Sequence, residues 1–420
     1  MNGKKSKIIG NNLMIRTNKS VAVIGQGYVG LPLSLAAHNA NWRVLALDID
    51  EAKLSNLRSG RSPIEDVTDE QVASALSNGL IFTSDFNLIS QCEIVVVCVP
   101  TPLTEAHEPD LTFLRSAVQS IARFAKSNTL LINESTSFPT TTRILIPEIV
   151  LEESPNLNLL YAVAPERVDP GNTVWNYQET PRLVSGLTDE ATERALEFYS
   201  SFCHNVIKVR TPEVAEFSKV LENTFRQVNI ALVNEMVPVA QKLEVSLFEV
   251  IEAAATKPYG YMPFWPGVGV GGHCIPIDPL YLSWFAKSLG LNLKLVDNAQ
   301  DINDSAPKEI FRVIESMNFS RESNILQIGL TYKVGVRDLR ESPSITLFSL
   351  LQKVFHKVEW WDSSVETWNG TKKSPLKASY DLVVVTHKID SSDVEAVIKS
   401  SRKILDLTGQ FRGLDNVVSI

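Results

Sequence analysis

V-A-V-I-G-Q-G-Y-V-G, from Val21 to Gly30, runs directly into L-P-L-S-L-A-A-H. The apolar run Val21 to Ile24 reads as a buried strand, and the apolar stretch after Gly30 reads as a helix. Gly25, Gly27 and Gly30, with Tyr28 and Val29 among them, therefore stand at a strand-to-helix turn with G-x-G-x-x-G spacing. A helix N-terminus offers free N–H groups and the positive end of its dipole, which is what a pyrophosphate requires. The next strand, R-V-L-A-L-D, ends at Asp48. An acid about 20 residues past the glycines bonds the adenosine ribose hydroxyls, and it repels a 2′-phosphate. NAD is the expected cofactor. A tight βα turn without a ligand is the alternative, and strand, helix and acid together weigh against it.

Strand and helix go on alternating. A helix runs through Leu57, a second, acidic one starts from Thr68, and a strand lies around Ile81. E-I-V-V-V-C-V-P-T-P gives a buried strand ending at Pro100, T-L-L-I-N-E-S-T another ending with Glu134, Ser135 and Thr136, and L-L-Y-A-V-A-P-E-R one ending near Glu166. Ligands of doubly wound sheets gather at the carboxyl ends of strands, which singles out Thr101, Thr136 and Glu166 by topology alone.

From Thr211 the apolar period is helical for about 30 residues, far beyond an average helix. Lys219 and Asn223 lie four apart and share one face of it. Periodicity by itself favours a solvated stripe for such a pair. A second α/β unit starts near Asn324, with N-I-L-Q-I-G-L, V-E-W-W-D, Y-D-L-V-V-V-T and K-I-L-D-L-T as strands. Its first loop, T-Y-K-V-G-V-R-D-L-R-E-S-P, carries Lys333, Arg337 and Arg340, and a cationic loop at a strand end suits a phosphate group.

Between the two units lies G-V-G-V-G-G-H-C-I-P-I-D-P, from Gly267 to Pro279. Cys274 follows the glycine pair Gly271 and Gly272, and glycines let backbone and ligand come close to the sulfur. A thiol in such a loop, with Asp278 four residues on, suits a covalent nucleophile, although structural cysteines are also common. Asp278-Pro279 before an apolar run that stops at Gly290 also reads as a helix N-cap followed by a first-turn proline.

The chain has 420 residues, 44% hydrophobic and 21% charged, with a formal net charge of −8. That is too long for one core and too apolar for disorder. The acidic balance argues against nucleic acid or an anionic membrane as main partner. No signal-peptide core or membrane-spanning run occurs. Cys92, Cys98, Cys203 and Cys274 have no C-x-x-C spacing, so no metal site is expected, and a reducing, cytoplasmic compartment is. Cys98, inside an apolar run, reads as a core residue.

G-Q-G-Y-V-G, V-P-T-P, E-S-T, A-P-E-R-V-D-P-G, K-V-L-E-N-T, G-G-H-C-I-P-I-D-P and T-Y-K-V-G-V-R-D-L-R-E-S-P occur in a fixed order. The set resembles the UDP-glucose/GDP-mannose dehydrogenase family over nearly the whole chain. The resemblance implies an α/β fold of two Rossmann-like doubly wound domains joined by a long central helix and a helical dimerisation segment. The expected division is a disordered tail (1–19), an NAD-binding domain (20–210), a central helical dimerisation domain (211–306) and a C-terminal UDP-sugar-binding domain (307–420). A homodimer or higher homo-oligomer is implied.

The implied reaction is a four-electron oxidation of a sugar C6 alcohol to a carboxylate with two NAD, for surface polysaccharide synthesis. Cys274 resembles the nucleophile that carries a thiohemiacetal and then a thioester. Lys219 and Asn223 resemble the family pair that stabilises the oxyanion and contacts substrate. Asp278 resembles the carboxylate that handles protons through water, and Glu166 the one assisting thioester hydrolysis. Lys53, Thr101, Thr136 and Arg340 resemble cofactor contacts, beside Gly25, Gly27, Tyr28, Val29, Gly30 and Asp48. Gly271 and Lys333 resemble contacts to the nucleotide sugar.

One departure is plain: P-E-R-V-D-P-G places Pro170 where the UDP-glucose branch has a second glutamate. The pattern resembles instead the branch acting on UDP-N-acetylhexosamines, with UDP-N-acetylglucosamine the expected sugar and its manno and galacto epimers close neighbours. A two-electron dehydrogenase would need no thiol. A non-catalytic nucleotide-sugar-binding protein would need neither the thiol nor the Lys219–Asn223–Asp278 set.

Overall fold

The computed structural model describes residues 19–169, 172 and 174–420. The expected tail, apart from Lys19, and Pro170 lie outside the described residues.

The N-terminal unit alternates β1 (Ser20–Ile24), α1 (Gly30–Asn39), β2 (Arg43–Leu47), α2 (Glu51–Arg58), α3 (Asp69–Ser77), β3 (Ile81–Thr83), β4 (Ile94–Val97), α4 (Thr112–Phe124), β5 (Leu130–Asn133), α5 (Ile146–Glu153), β6 (Leu160–Val163), β7 (Arg182–Gly186), α6 (Asp189–Ser200) and β8 (Val206–Lys208). The strands form one sheet in the order β3-β2-β1-β4-β5-β6-β7-β8, antiparallel only between β6 and β7. Its strands are apolar on both sides because helices cover both faces. Val21, Val23, Val44 and Val96 point into a core with Leu31, Leu33, Ala195 and Phe198, whereas Ala22, Ile24, Leu45 and Val97 point the other way, against Leu114, Val118, Ile121 and Ile149. The strand order reverses between β1 and β4, so a crevice opens beyond their carboxyl ends.

α7 (Pro212–Lys242) follows as a single helix of 31 residues, then α8 (Leu247–Ala255), α9 (Asp278–Ser288) and α10 (Lys294–Ser316). α7 and α10 are joined by a buried polar ladder. Asn234 donates to Asn303 Oδ1 at 3.1 Å, and Asn303 donates to the Gln227 carbonyl at 3.1 Å. The C-terminal unit comprises β9 (Asn324–Ile328), α11 (Pro343–Val354), β10 (Lys357–Trp361), the hairpin β11 (Thr367–Trp368) and β12 (Thr371–Lys372), β13 (Tyr380–Val385), α12 (Ser391–Ser400), β14 (Ser401–Asp406) and β15 (Val417–Ser419). Its main sheet is parallel throughout, in the order β10-β9-β13-β14-β15. The expected fold class is the observed one.

Three strands stop earlier than the sequence suggests: β4 at Val97, β5 at Asn133 and β6 at Val163. Single backbone bonds carry the pairing one residue further, from Cys98 N to Ile24 O at 2.8 Å and from Ala164 N to Asn133 O at 3.0 Å. The chain then leaves the ladder, and Pro100 has no N–H with which to extend it. β7, β8, the hairpin and β15 went unforeseen: the last three have two or three residues per strand, too few for a periodic signal, and R-L-V-S-G of β7 is a short run broken by polar residues.

α7 is also anchored to the first unit. Glu216, only 1% exposed, accepts from Thr140 N and from Thr142 N, both at 2.8 Å, and so holds the turn that leads into α5. Burial pushes the Glu216 carboxyl up to about 7, against those two N–H groups, which favour its charged form. The native state therefore binds this proton more tightly than the unfolded chain does. The contribution to stability is fully present below the unfolded carboxylate range and is lost as pH rises through about 7. The parent is expected to lose stability relative to Glu216→Gln between about pH 4 and about pH 8, by on the order of 3 kcal/mol. Thermal unfolding midpoints of both proteins across that range test this, and parallel profiles would contradict it.

Candidate active site

The turn after β1 has the shape a dinucleotide needs. Gly25 has φ +94°, and a Cβ on it would lie 2.3 Å from the Cys98 carbonyl oxygen; a Cβ on Gly30 would lie 1.8 Å from the Gly25 carbonyl oxygen. These two glycines let β1, β4 and α1 pack together. A Cβ on Gly27 would meet nothing within 4 Å, so this is the open side, where a pyrophosphate can approach the backbone. α1 has no side-chain cap, which leaves its first N–H groups available. Asp48, nearly buried at the end of β2, accepts from Gln26 N and Lys53 Nζ, each at 2.7 Å, and from Asp50 N at 3.0 Å. Burial pushes its carboxyl up, but Lys53 and the two N–H groups outweigh that and hold it below the usual range. Asp50 instead caps α2 through Ala52 N and Lys53 N, so Asp48 is the acid facing the crevice. The residues fit NAD.

Beyond the neighbouring strands, Ser135 ties the ends of β4 and β5 together, accepting from Val99 N and donating to Val99 O, both at 2.9 Å. Thr101 and Thr136 follow these strand ends, both half-buried. Tyr281 on α9 donates to the Pro102 carbonyl at 3.1 Å and so seats the cysteine-loop helix on this edge.

Cys274 is the exposed cysteine among the four, while Cys92, Cys98 and Cys203 are buried. Its side chain reaches solvent while Lys219, Asp278 and Glu166 act on the sulfur, and these groups together border the cleft. Burial pushes its thiol up to about 11; Lys219 pulls it down, and Asp278 and Glu166 push it further up. Lys219 and Asn223 are each 6% exposed, so the solvated-stripe reading of their helix face does not hold. That face of α7 is covered by α9 and the cysteine loop. Asn223 Nδ2 donates to Asp278 Oδ2 at 2.5 Å. Burial pushes Asp278 up to about 6, opposed by Lys219 and by this hydrogen bond. Burial alone would pull the Lys219 ammonium down, but Cys274, Asp278 and Glu166 reverse that and keep it protonated.

The N-cap reading of Asp278 is corrected. Ile277 occupies the cap position of α9 without a side-chain cap bond, and the Asp278 carboxylate turns to Asn223 instead. The purpose of the glycine pair also changes. A Cβ on Gly271 would lie 2.8 Å from the Glu341 carbonyl oxygen, and one on Gly272 would lie 2.8 Å from the Tyr332 ring. These glycines admit the C-terminal loop rather than opening space at the sulfur.

That loop crosses the cleft. Lys333 Nζ lies 2.7 Å from Asp169 Oδ1, and Arg337 lies 3.8 Å from Glu65, which also accepts from Tyr28 Oη at 2.9 Å. Arg340 Nη2 lies 2.8 Å from Asp338 Oδ2 and 3.0 Å from His273 Nε2. The expected cationic loop carries a set of ion pairs that brings Lys333, Arg340, Tyr28 and the cysteine loop together. Glu166, 8% exposed, stands after β6 with Oε1 accepting from Val168 N at 2.5 Å. Sequence reasoning missed His273, Asp338 and the buried Glu134 and Arg182 behind Glu166. The one available signal was ionisable residues in or beside strands, Glu134 after β5 and Arg182 opening β7. Among the described residues no group of three or more His, Cys, Asp and Glu side chains is placed to hold a metal ion, and no helix is long and apolar enough to cross a membrane.

With a thiol held near 11, alkylation of Cys274 by iodoacetamide should be slow at neutral pH. It should rise about tenfold per pH unit towards about 11, with one label per chain. Removing the cation in Lys219→Met should slow it further at any fixed pH. A rate already flat above neutral pH, or labelling of a second cysteine in the folded protein, would contradict the geometry.

Residues 19–203 match the NAD-binding domain of the UDP-glucose/GDP-mannose dehydrogenase family, and residues 213–305 match its central domain. The chain is 34% identical to a UDP-N-acetyl-D-mannosamine dehydrogenase of Methanococcus maripaludis, over 88% of this chain and 86% of that one. It is 31% identical to a UDP-N-acetyl-D-glucosamine 6-dehydrogenase of Pseudomonas aeruginosa, over 87% and 89%. The solved UDP-D-ManNAc dehydrogenase of Pyrococcus horikoshii superposes with a TM-score of 0.85 at 29% identity, covering 95% of this chain and 98% of that one. A chain with this turn, this thiol cleft and these matches belongs to the UDP-glucose/GDP-mannose dehydrogenase family and is an NAD-dependent nucleotide-sugar dehydrogenase.

Proposed function

We propose that the chain oxidises the C6 alcohol of a UDP-N-acetylhexosamine to the carboxylate in two successive steps at one site, with Cys274 as covalent nucleophile. The observation that carries this is the meeting of Cys274, Lys219, Asn223 and Asp278 in one cleft beside the dinucleotide turn. NAD, when bound, would supply a hydride acceptor for each oxidation, and Gly25, Gly27, Tyr28, Val29, Gly30 and Asp48, with Lys53, Thr101, Thr136 and Arg340, would hold it.

The residues divide the work by their charge states. Lys219, kept protonated, and the Asn223 amide stabilise the alkoxide as it develops and later the oxyanion of the tetrahedral adducts. Asp278, poised near 6, receives the alcohol proton through water at neutral pH. Cys274 rests as a thiol, gives up its proton as its sulfur adds to the aldehyde, and holds the carbon for the second oxidation. Glu166 then assists attack of water on the thioester. Lys333 and the backbone at Gly271 hold the nucleotide sugar from the side of the C-terminal unit.

The manno epimer is the first sugar to test, because relatives bearing that name recur among the similar chains from archaea. The gluco epimer, expected from the sequence, is favoured by the relative from Pseudomonas aeruginosa. Pairing of two chains is part of the proposal: Phe217, Leu221, Phe225, Leu232, Met236 and Val239 leave an exposed apolar stripe along α7, opposite its buried polar face. The unpaired cysteines fit a reducing cytoplasm.

Two NADH per sugar, with the uronic acid identified by mass, are expected from UDP-N-acetyl-D-mannosamine or its gluco epimer, with UDP-glucose turned over at least about tenfold more slowly. Cys274→Ala should retain NAD binding and make no acid. One NADH per sugar, or acid formation by Cys274→Ala, would overturn the covalent mechanism, and faster turnover of UDP-glucose would overturn the sugar. Leu232→Glu with Met236→Glu should lower the mass measured by light scattering while keeping helical content. An unchanged mass would move the interface off α7.

A further inference from the structure

Arg182, the first residue of β7, is 1% exposed. A guanidinium does not shed its proton, so burying one costs several kcal/mol unless acids and ring faces compensate. Nη1 donates to Glu134 Oε1 at 3.1 Å, and the guanidinium carbon lies 4.4 Å from the Tyr177 ring centroid and 5.5 Å from that of Tyr199. Glu134 is itself fully buried: Oε1 also accepts from Tyr177 Oη at 2.8 Å, and Oε2 lies 3.5 Å from Cys98 Sγ. A purely structural pair would be complete at this point.

The other arm is not complete. Arg182 Nη2 is buried with no hydrogen-bond partner, and the carboxylate it faces is Glu166, whose Oε1 stands 4.0 Å away. An orphaned buried donor costs about 1–3 kcal/mol. Glu166 Oε1 is pinned from its other side by Val168 N. The loop carrying it is clamped to α7 by Arg167, which donates to both oxygens of Glu222, at 3.0 and 2.7 Å. Glu166 thus stands between one made and one open donor, at the edge of the cleft, where it acts electrostatically on Lys219 and Cys274.

We propose that Arg182 is the positioning residue for Glu166 in product release. Nη2 closes on Glu166 Oε1 and leaves the second carboxylate oxygen aimed at the water that attacks the acyl group. The inference rests on the covalent mechanism above. In that step Glu166 takes a proton from water as the water oxygen bonds to the acyl carbon. The C–S bond breaks with its electron pair going to Cys274 Sγ, and the sulfur is reprotonated, so thioester and water become carboxylic acid and thiol. Arg182 touches none of the reacting atoms. A lysine would not replace it, because one ammonium lacks the fork that reaches Glu134 and Glu166 together.

The test compares Arg182→Lys, which keeps a cation beside Glu134, and Arg182→Gln with Glu166→Gln. The full-length enzymes are mixed rapidly with NAD and either UDP-N-acetyl-D-mannosamine or UDP-N-acetyl-D-glucosamine. Each variant should release a burst of two NADH per site and then run at a steady rate lowered about 10–100-fold, part of the roughly 10²–10⁴-fold that a general base contributes. Intact-protein mass after quenching should show the acyl adduct on Cys274. The ratio of burst amplitude to steady rate does not depend on how much of a variant folds. Arg182 variants that turn over at the parent rate, or that lose both oxidations alike with no adduct, would reduce Arg182 to a core ion pair. A Glu166→Gln enzyme without adduct would remove the role of Glu166 itself, whichever way the Arg182 variants behave.

Discussion

Asn223 on α7 donates to Asp278 at the start of α9 at 2.5 Å, and neither residue is exposed beyond 6%. This contact joins the long helix to the cysteine loop, and it is one of a row. Glu216 holds the 140–142 turn of the first unit, Gln227 donates to Gln300 on α10, and Asn234 accepts from Gly267 N at 2.9 Å. All lie on the buried side of one helix. Each group left unpaired there would cost about 1–3 kcal/mol, so the row fixes the register of the 140–142 turn, α9, α10 and the cysteine loop against α7. The two sheets and the thiol loop are placed relative to one another by that register.

The same burial sets the chemistry. Among groups taken out of water, the charged form survives only where an opposite charge is near. Lys219 has Asp278 and Glu166 within electrostatic reach and stays a cation, Asp278 rises to about 6, and the Cys274 thiol rises to about 11. A single protonated lysine is thus shared by a thiol and two acids. In the proposed mechanism, alcohol or thiol gives up its proton as an oxyanion, or the thiolate, gains the lysine. On that reading the cleft favours the intermediates over its resting state.

The C-terminal loop does not add bare positive charge to the cleft. Lys333 with Asp169 and Arg337 with Glu65 link the two units across the opening, and Arg340, paired with Asp338, reaches His273 of the cysteine loop. These partly exposed pairs contribute little stability individually. Their significance is positional, since they draw the dinucleotide turn, the cysteine loop and the second sheet around one space.

Much of this was legible in the sequence. The alternation of apolar runs gave most of the strands, the glycine spacing with Asp48 gave the dinucleotide turn, and a helical period of about 30 residues gave α7, because all three signals are local. Local signals failed where partners are distant in the chain. Lys219 and Asn223 read more readily as a solvated stripe, since nothing nearby says that α9 will cover them. Asp278 read as a cap, because a cap needs only its own helix, whereas its actual partner lies 55 residues away. Gly271 and Gly272 announced close approach but not of what, and the answer, Tyr332 and Glu341, comes from another sheet. Arg182, Glu134 and Glu166 come from three separate stretches of chain and meet only when β5, β6 and β7 lie side by side. The sequence by itself determined most of the elements and the cofactor turn, and it singled out Cys274. Which buried charges face one another, and hence which groups hold protons, was decided only by the tertiary structure, because electrostatic energy depends on distance and burial and not on order along the chain.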